Sequence, residues 1–174
     1  MFAEALRRLY EYNSWATEKL LETAEGLSQE QLHAPGQAGR GSIRDTLLHL
    51  VNVHKGWLSW WDGTLSGMDA YNMKLDPAEY PDVGALRREW ATVVQQTQAF
   101  IAGLRDDDPE RLYGIDLPDG QHWDQALWKM MLHVANHGTQ HRAETASMMT
   151  AFGHSPGDLD LLFYLDPPVD APKA

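Results

Sequence analysis

The sequence predicts an all-α protein built as a four-helix bundle with long connections. Four segments carry apolar side chains at helical spacing, and Gly- and Pro-containing connections separate them. Apolar residues make up 43% of the 174-residue chain and charged residues 22%, which is typical of a globular domain. Together these observations indicate helices packed around a shared apolar core.

The first two helices are predicted at Phe2–Leu27, where Gly26 offers a stop, and from Ser42 to about Asp62. Ser42 is a good N-cap because its hydroxyl can accept a backbone N–H of the first turn. Residues 28–41 and 63–81 read as irregular connections.

The third helix is predicted over Asp82–Leu104 and the fourth over Trp123–Phe152. Between them, residues around Tyr113–Leu117 are compatible with a short β-hairpin. Residues 155–165 are predicted to form a short docking helix. We expect one domain over residues 1–166 and a flexible tail over residues 167–174.

Charge and composition exclude several classes of function. The net charge is −11 and the 14 Lys and Arg are scattered, which argues against nucleic acid and against an anionic membrane surface as partners. No signal peptide or membrane span is recognisable, so a cytoplasmic location is expected. There is no cysteine, so any thiol chemistry must use a thiol from outside the chain.

Three of the eight histidines recur at four-residue spacing in the fourth helix. Relative to Leu127, His141 lies about 40°, His137 about 80° and His133 about 120° around the helix. His137 and His141 therefore face the bundle interior or its rim, whereas His133 points toward solvent or a neighbouring helix. Two imidazoles four residues apart on a helix can bind one metal ion.

The histidine pair alone leaves alternatives open. Such pairs also occur on partly solvated polar faces, and a bundle metal site takes its remaining ligands from a facing helix. The second helix offers His49 and His54. Helical projection slightly favours His54 as the third ligand, because it lies at the centre of the apolar stripe. The projection does not decide between the two histidines.

Three segments resemble the DinB-like (damage-inducible, YfiT-like) metal-binding family of four-helix bundles. YNSWATEKLL is similar to the family's N-x-W-A pattern, and GSIRDTLLHLVNVHKGWLSWW to its S-x-x-x-x-L-x-H-L followed by an acidic residue and Trp. MLHVANHGTQHRAE is similar to its H-V-x-N-H-x-x-H-H-R-G-Q. The order and spacing of the three segments make the resemblance specific.

The resemblance implies a divalent metal ion, zinc or nickel, bound by His49, His137 and His141. It also implies cofactor contacts from Trp57 and Asn13, and makes His54 and Arg142 candidate catalytic residues. The chain departs from the family pattern where Gln140, Ala143 and Glu144 replace His, Gly and Gln. The neighbouring Trp60 and Trp61 are interpreted as core or dimer contacts.

Three histidines and an open coordination position are typical of a catalytic metal site. Characterised relatives are thiol-dependent transferases and isomerases. The sequence hypothesis is therefore a transferase that joins a low-molecular-weight thiol, of the bacillithiol, mycothiol or glutathione type, to an electrophilic small molecule. A metal-dependent hydrolase and a non-enzymatic metal-binding stress-response protein are the alternatives. A homodimer is expected from the surplus of tryptophan and from family habit.

Overall fold

The computed structural model describes residues 2–36 and 38–167, and the predicted all-α fold with a short hairpin is confirmed there. Four long helices form the bundle: α1 and α3 each pack against both α5 and α6, so α1 lies diagonally opposite α3. In chain order the helices are α1 (Phe2–Ala24), α2 (Gln29–His33), α3 (Ile43–Trp61), α4 (Gly67–Asn72), α5 (Val83–Ala102), α6 (Leu127–Ala151) and α7 (Leu161–Leu165).

Side-chain caps define the starts of two long helices. The Ser42 hydroxyl accepts the Asp45 backbone N–H at 3.0 Å and donates to the Asp45 carboxylate at 2.8 Å, so α3 begins where the sequence predicts. The Asp82 carboxylate accepts the Ala85 N–H at 2.8 Å and starts α5 in the same way. Each cap satisfies a backbone donor that has no partner inside its helix.

The two connections contain more helix than the sequence predicts. α2 lies in the first connection, and a capping box between Ser28 and Gln31 stabilises its start. α4 lies in the second, capped by Ser66, and a 3₁₀ turn follows at Pro77–Glu79. Helices of five or six residues are too short to show a helical hydrophobic period, which is why the pattern missed them.

The start of the fourth helix is a correction. Trp123 does not belong to it, because strand β1 (Leu112–Asp116) pairs antiparallel with β2 (His122–Ala126), opposing Trp123 to Ile115. Gly120, at φ +84°, lies in the connecting turn and donates its N–H to the Leu117 carbonyl. α6 begins only where this pairing ends. The spacing from Trp123 to Leu127 suited a helix, but the ladder hydrogen bonds to β1 decided the conformation.

The bundle core consists of two apolar clusters with a polar layer between them. One cluster includes Leu20, Leu47 and Leu86, and the other includes Leu6 and Leu58. Between them along the bundle axis lie buried polar side chains from all four long helices: Asn13, Thr17, His54, Thr97, His141, Arg142 and Thr145. Because burying a polar group is costly without a partner, this layer is where a functional site is expected.

The segment that follows α6 folds back onto α1. Of the docking helix predicted over residues 155–165, only the last five residues are helical, as α7. The Tyr164 ring of α7 lies 5.1 Å from the Trp15 ring, and the Tyr12 hydroxyl donates to the Leu159 carbonyl at 2.8 Å. Residues 168–174 of the predicted tail lie outside the described residues. Within the described part of the chain, none of the helices is both long and apolar enough to cross a bilayer.

Candidate metal centre

Helix α6 and the facing helix α3 bring three imidazoles together. The Nε2 atoms of His49 and His137 are 3.2 Å apart, and the His141 ring lies 4.8 Å from that of His49 and 4.5 Å from that of His137. One ring nitrogen from each residue can be chosen so that all three lie within 4.8 Å of one another. The structure therefore places His49, and not His54, with the pair on α6.

This arrangement fits a metal ion. A divalent ion bound to imidazole nitrogens at ~2.0–2.1 Å in tetrahedral geometry separates two of those nitrogens by about 3.3 Å. The 3.2 Å between His49 and His137 is close to that value. Three neutral nitrogen donors suit zinc, nickel or copper and do not select among them.

The site favours uncharged imidazoles. Burial, then the charges of Arg40 and the neighbouring histidines, lower the pKa of His49 to about 4. Burial and the neighbouring His141 likewise lower the pKa of His137 to about 4. Both side chains are thus neutral near pH 7, the form in which histidine binds metal.

Glu144 orients the third imidazole. The Nδ1 atom of His141 lies 2.6 Å from the Glu144 carboxylate, one turn further along α6. An N–H at Nδ1 donates to that carboxylate and leaves the unprotonated Nε2 free to bind a metal ion. This arrangement is common around protein-bound metals. In the sequence, Glu144 stands out only as a departure from the family pattern. Its i,i+3 spacing from His141 was the signal that could have identified it.

His54 and Arg142 lie in the polar layer rather than with the three imidazoles. Arg142 donates to the side-chain oxygen of Asn13, and the side-chain NH₂ of Asn13 donates to His54 Nδ1 at 3.3 Å. His54 Nε2–H in turn donates to the Thr97 hydroxyl at 3.1 Å. This chain of hydrogen bonds takes one residue from each long helix. The cavity that His54, Asn13 and Arg142 help line measures only about 10 Å³, and His137 borders it. Their proposed catalytic and cofactor roles stay predictions.

A larger cavity of about 320 Å³ begins at His137 on the other side. Trp57, which the resemblance implies to be near the site, lines this cavity. Trp60 lines it as well, although the sequence predicts a core or dimer contact for Trp60. His133 also lines it and is exposed, in agreement with its predicted direction, with its ring 5.7 Å from that of Trp57. Trp61 is buried in the core.

Comparison with known proteins agrees with the resemblance read from the three segments. The chain is 26% identical over 160 residues to Protein DinB of Bacillus subtilis (strain 168), an alignment that covers 91% of this chain and 92% of the Bacillus protein. A family model described as the DinB family matches residues 1–173. The chain, with three histidines that could hold a divalent metal ion, belongs to the DinB family.

Proposed function

We propose that the protein is a metal-dependent transferase that joins a low-molecular-weight thiol to an electrophilic small molecule. The observation that carries the proposal is the juxtaposition of three imidazoles with a largely apolar cavity that starts at one of them, His137. A closed structural metal site would have four protein ligands and no adjoining cavity.

His49, His137 and His141 would hold the ion, and Glu144 would keep His141 in the tautomer that presents Nε2. A divalent ion with an open position lowers the pKa of a thiol that reaches it, so that the nucleophilic thiolate forms near neutral pH. The chain contributes no competing thiol, because it has no cysteine. Its apolar cavity would exclude water from the second reactant and hold it beside His137.

The proposal is tested with cobalt-substituted protein and a panel of bacillithiol, mycothiol, glutathione and coenzyme A. The protein should bind about one divalent ion per chain, and one of the thiols should produce a new sulfur-to-cobalt charge-transfer band. His49→Ala should lose both the ion and the band, since it removes one of three ligands. His54→Gln, a change to the other candidate histidine of α3, should retain both.

Each other outcome contradicts part of the proposal. Full cobalt binding by His49→Ala, or its loss in His54→Gln, would mean that the ligand set is wrong. A bound ion without any thiol-dependent band would reject the transferase. In that case, amide or ester cleavage without added thiol would favour the hydrolase, and its absence would favour a non-enzymatic metal-binding protein.

A further inference from the structure

The lining of the cavity beside His137 contrasts with the rest of the chain, which carries 25 Asp and Glu and 14 Lys and Arg. None of the described residues that line it is an aspartate, glutamate, lysine or arginine. Its walls come from α3, α4, the β1–β2 hairpin and α6. In the metal-free protein, a charged ligand group placed here would lose hydration without gaining an Asp, Glu, Lys or Arg partner of opposite charge.

Aromatic side chains dominate the walls. The Trp57 and Trp60 rings, both in the lining, are stacked at 5.6 Å between centroids. Trp60 also meets the ring of Tyr113, which lies outside the lining, edge to face at 6.0 Å. Trp123 and Tyr71 complete the lining, and both remain exposed, at 58% and 74%. Large aromatic groups left exposed around a concave surface are typical of a ligand site, because burying them in a complex is favourable.

The walls are held in place before any ligand arrives. A Cβ added to Gly56 would lie 3.0 Å from the Ala70 carbonyl oxygen, so α4 packs on α3 as closely as glycine allows. The Asn52 side chain donates to the Met73 carbonyl at 3.3 Å and accepts the Leu75 N–H at 2.7 Å. These bonds occupy the Asn52 amide, so it contributes little hydrogen bonding to a ligand. A preformed apolar cavity of about 320 Å³ matches the size and lining of small-molecule sites.

We propose that this cavity binds a neutral, aromatic small molecule and presents its reactive end at His137. The aromatic lining stacks with the ring system, and the absence of charged walls selects against anions. Glutathione and bacillithiol carry carboxylates, so the charged parts of these two thiols belong outside this cavity and the electrophile belongs inside it. As a statement about the substrate, the inference rests on the proposed function, whereas binding in the cavity requires no metal.

The test compares two fluorescent probes that share one ring system, neutral N-phenyl-1-naphthylamine and its sulfonated analogue 8-anilinonaphthalene-1-sulfonate. Binding is measured by probe fluorescence and by energy transfer from tryptophan, in metal-free and metal-loaded protein. In the metal-free protein the neutral probe should bind at least about tenfold more tightly, because the sulfonate would be desolvated. Trp123→Ala should weaken its binding by about fivefold through lost stacking. Trp15→Ala, on the α1 face that α7 covers, should leave binding unchanged.

A second variant keeps the test independent of folding losses. Gln125→Arg places a cation among the lining residues from the hairpin, and it should shift the preference toward the sulfonated probe. Circular dichroism should show that both cavity variants remain folded. Equal affinity for the two probes, or a preference untouched by Trp123→Ala and Gln125→Arg, would overturn the inference. The probes are also tested on metal-free protein, so their binding can be interpreted even if the metal or thiol test fails. Failure of the probe test likewise leaves the metal and thiol tests unaffected.

Discussion

At the scale of single residues, the contrast between His49 and His54 shows how burial separates two similar side chains. His54 lies at the centre of the apolar stripe of α3, and both of its ring nitrogens are used in hydrogen bonds to Asn13 and Thr97. His49 lies at the edge of that stripe, half-buried, with Nε2 directed at His137. A histidine whose nitrogens are both engaged in the core has no atom left for a metal ion.

The buried position of His54 predicts a pH dependence of stability. Burial, and next the charge of Arg142, lower its pKa from 6.5 to about 4. Between those values the unfolded chain binds a proton that the folded chain does not, so the free energy of unfolding falls as the pH falls through this window. At 1.36 kcal/mol per pKa unit, His54 should account for about 2 kcal/mol lost between pH 7.5 and pH 5.

Urea unfolding of metal-free wild type and His54→Gln at several pH values measures this contribution. The glutamine amide can accept from Asn13 and donate to Thr97, yet it does not titrate. The other histidines titrate in both proteins, so the difference between the two pH profiles isolates His54. Identical profiles would show that His54 does not resist protonation in the fold.

At the scale of elements, Gly138 sets how α6 meets α1. A Cβ at this position would lie 2.7 Å from the Asn13 side-chain oxygen and 2.8 Å from Arg142 Nη1. Among the described residues no carboxylate lies within 4 Å of the Arg142 guanidinium, so its buried charge depends on the hydrogen bonds to Asn13 and Thr139 and on the Tyr12 ring. The glycine therefore makes room for the hydrogen bond that links the two helices.

Gly138→Ala should lower the stability of the protein. The gain in helix propensity of about 1 kcal/mol is outweighed by overpacking of about 1–3 kcal/mol and by disturbance of the Asn13–Arg142 bond. Gly84→Ala is the matched control, since a Cβ there meets nothing closer than 3.3 Å on the exposed first turn of α5. Thermal and urea unfolding should show a loss for the first variant and none for the second. Equal stabilisation of both would contradict the close contact.

At the scale of the whole molecule, apolar side chains remain exposed along one side of the bundle. Leu162, Phe163 and Leu165 of α7 are 64%, 48% and 48% exposed, and Leu132 of α6 is 41% exposed. A groove between α1 and α6, bordered by residues 158–161, also has a largely apolar lining. Covering an apolar surface of this kind with a partner is energetically favourable. The partner that we predict is a second copy of the chain.

We expect a homodimer of twice 19.6 kDa in sedimentation at micromolar concentration and about 0.15 M salt, which screens the repulsion between two chains of charge −11. Leu162→Glu should shift the equilibrium toward monomer, because it places a charge in the contact. Tyr71→Glu, at an exposed aromatic on α4 beside the cavity, should not. A monomer for the unaltered protein under these conditions would contradict the expectation.

The sequence by itself determined the features that depend on local pattern. Helical periodicity and the predicted Ser42 cap located most ends of the four long helices to within a few residues, because these signals lie within one segment of chain. The i,i+4 spacing also placed His137 and His141 on one side of α6. The three segment motifs indicated the DinB family, which the family model then showed for the whole chain.

The tertiary structure decided everything that depends on which surfaces meet. A helical projection of the α3 sequence gives the directions of His49 and His54 but not the helix that each one faces. His49 lies beside His137 because α3 packs on α6, which the projection does not contain. Pairing with β1 overrode the helical spacing of Trp123. The apolar cavity is assembled from residues far apart in sequence, such as Trp57, Ile115 and His137, and no local pattern records that these walls will share one space.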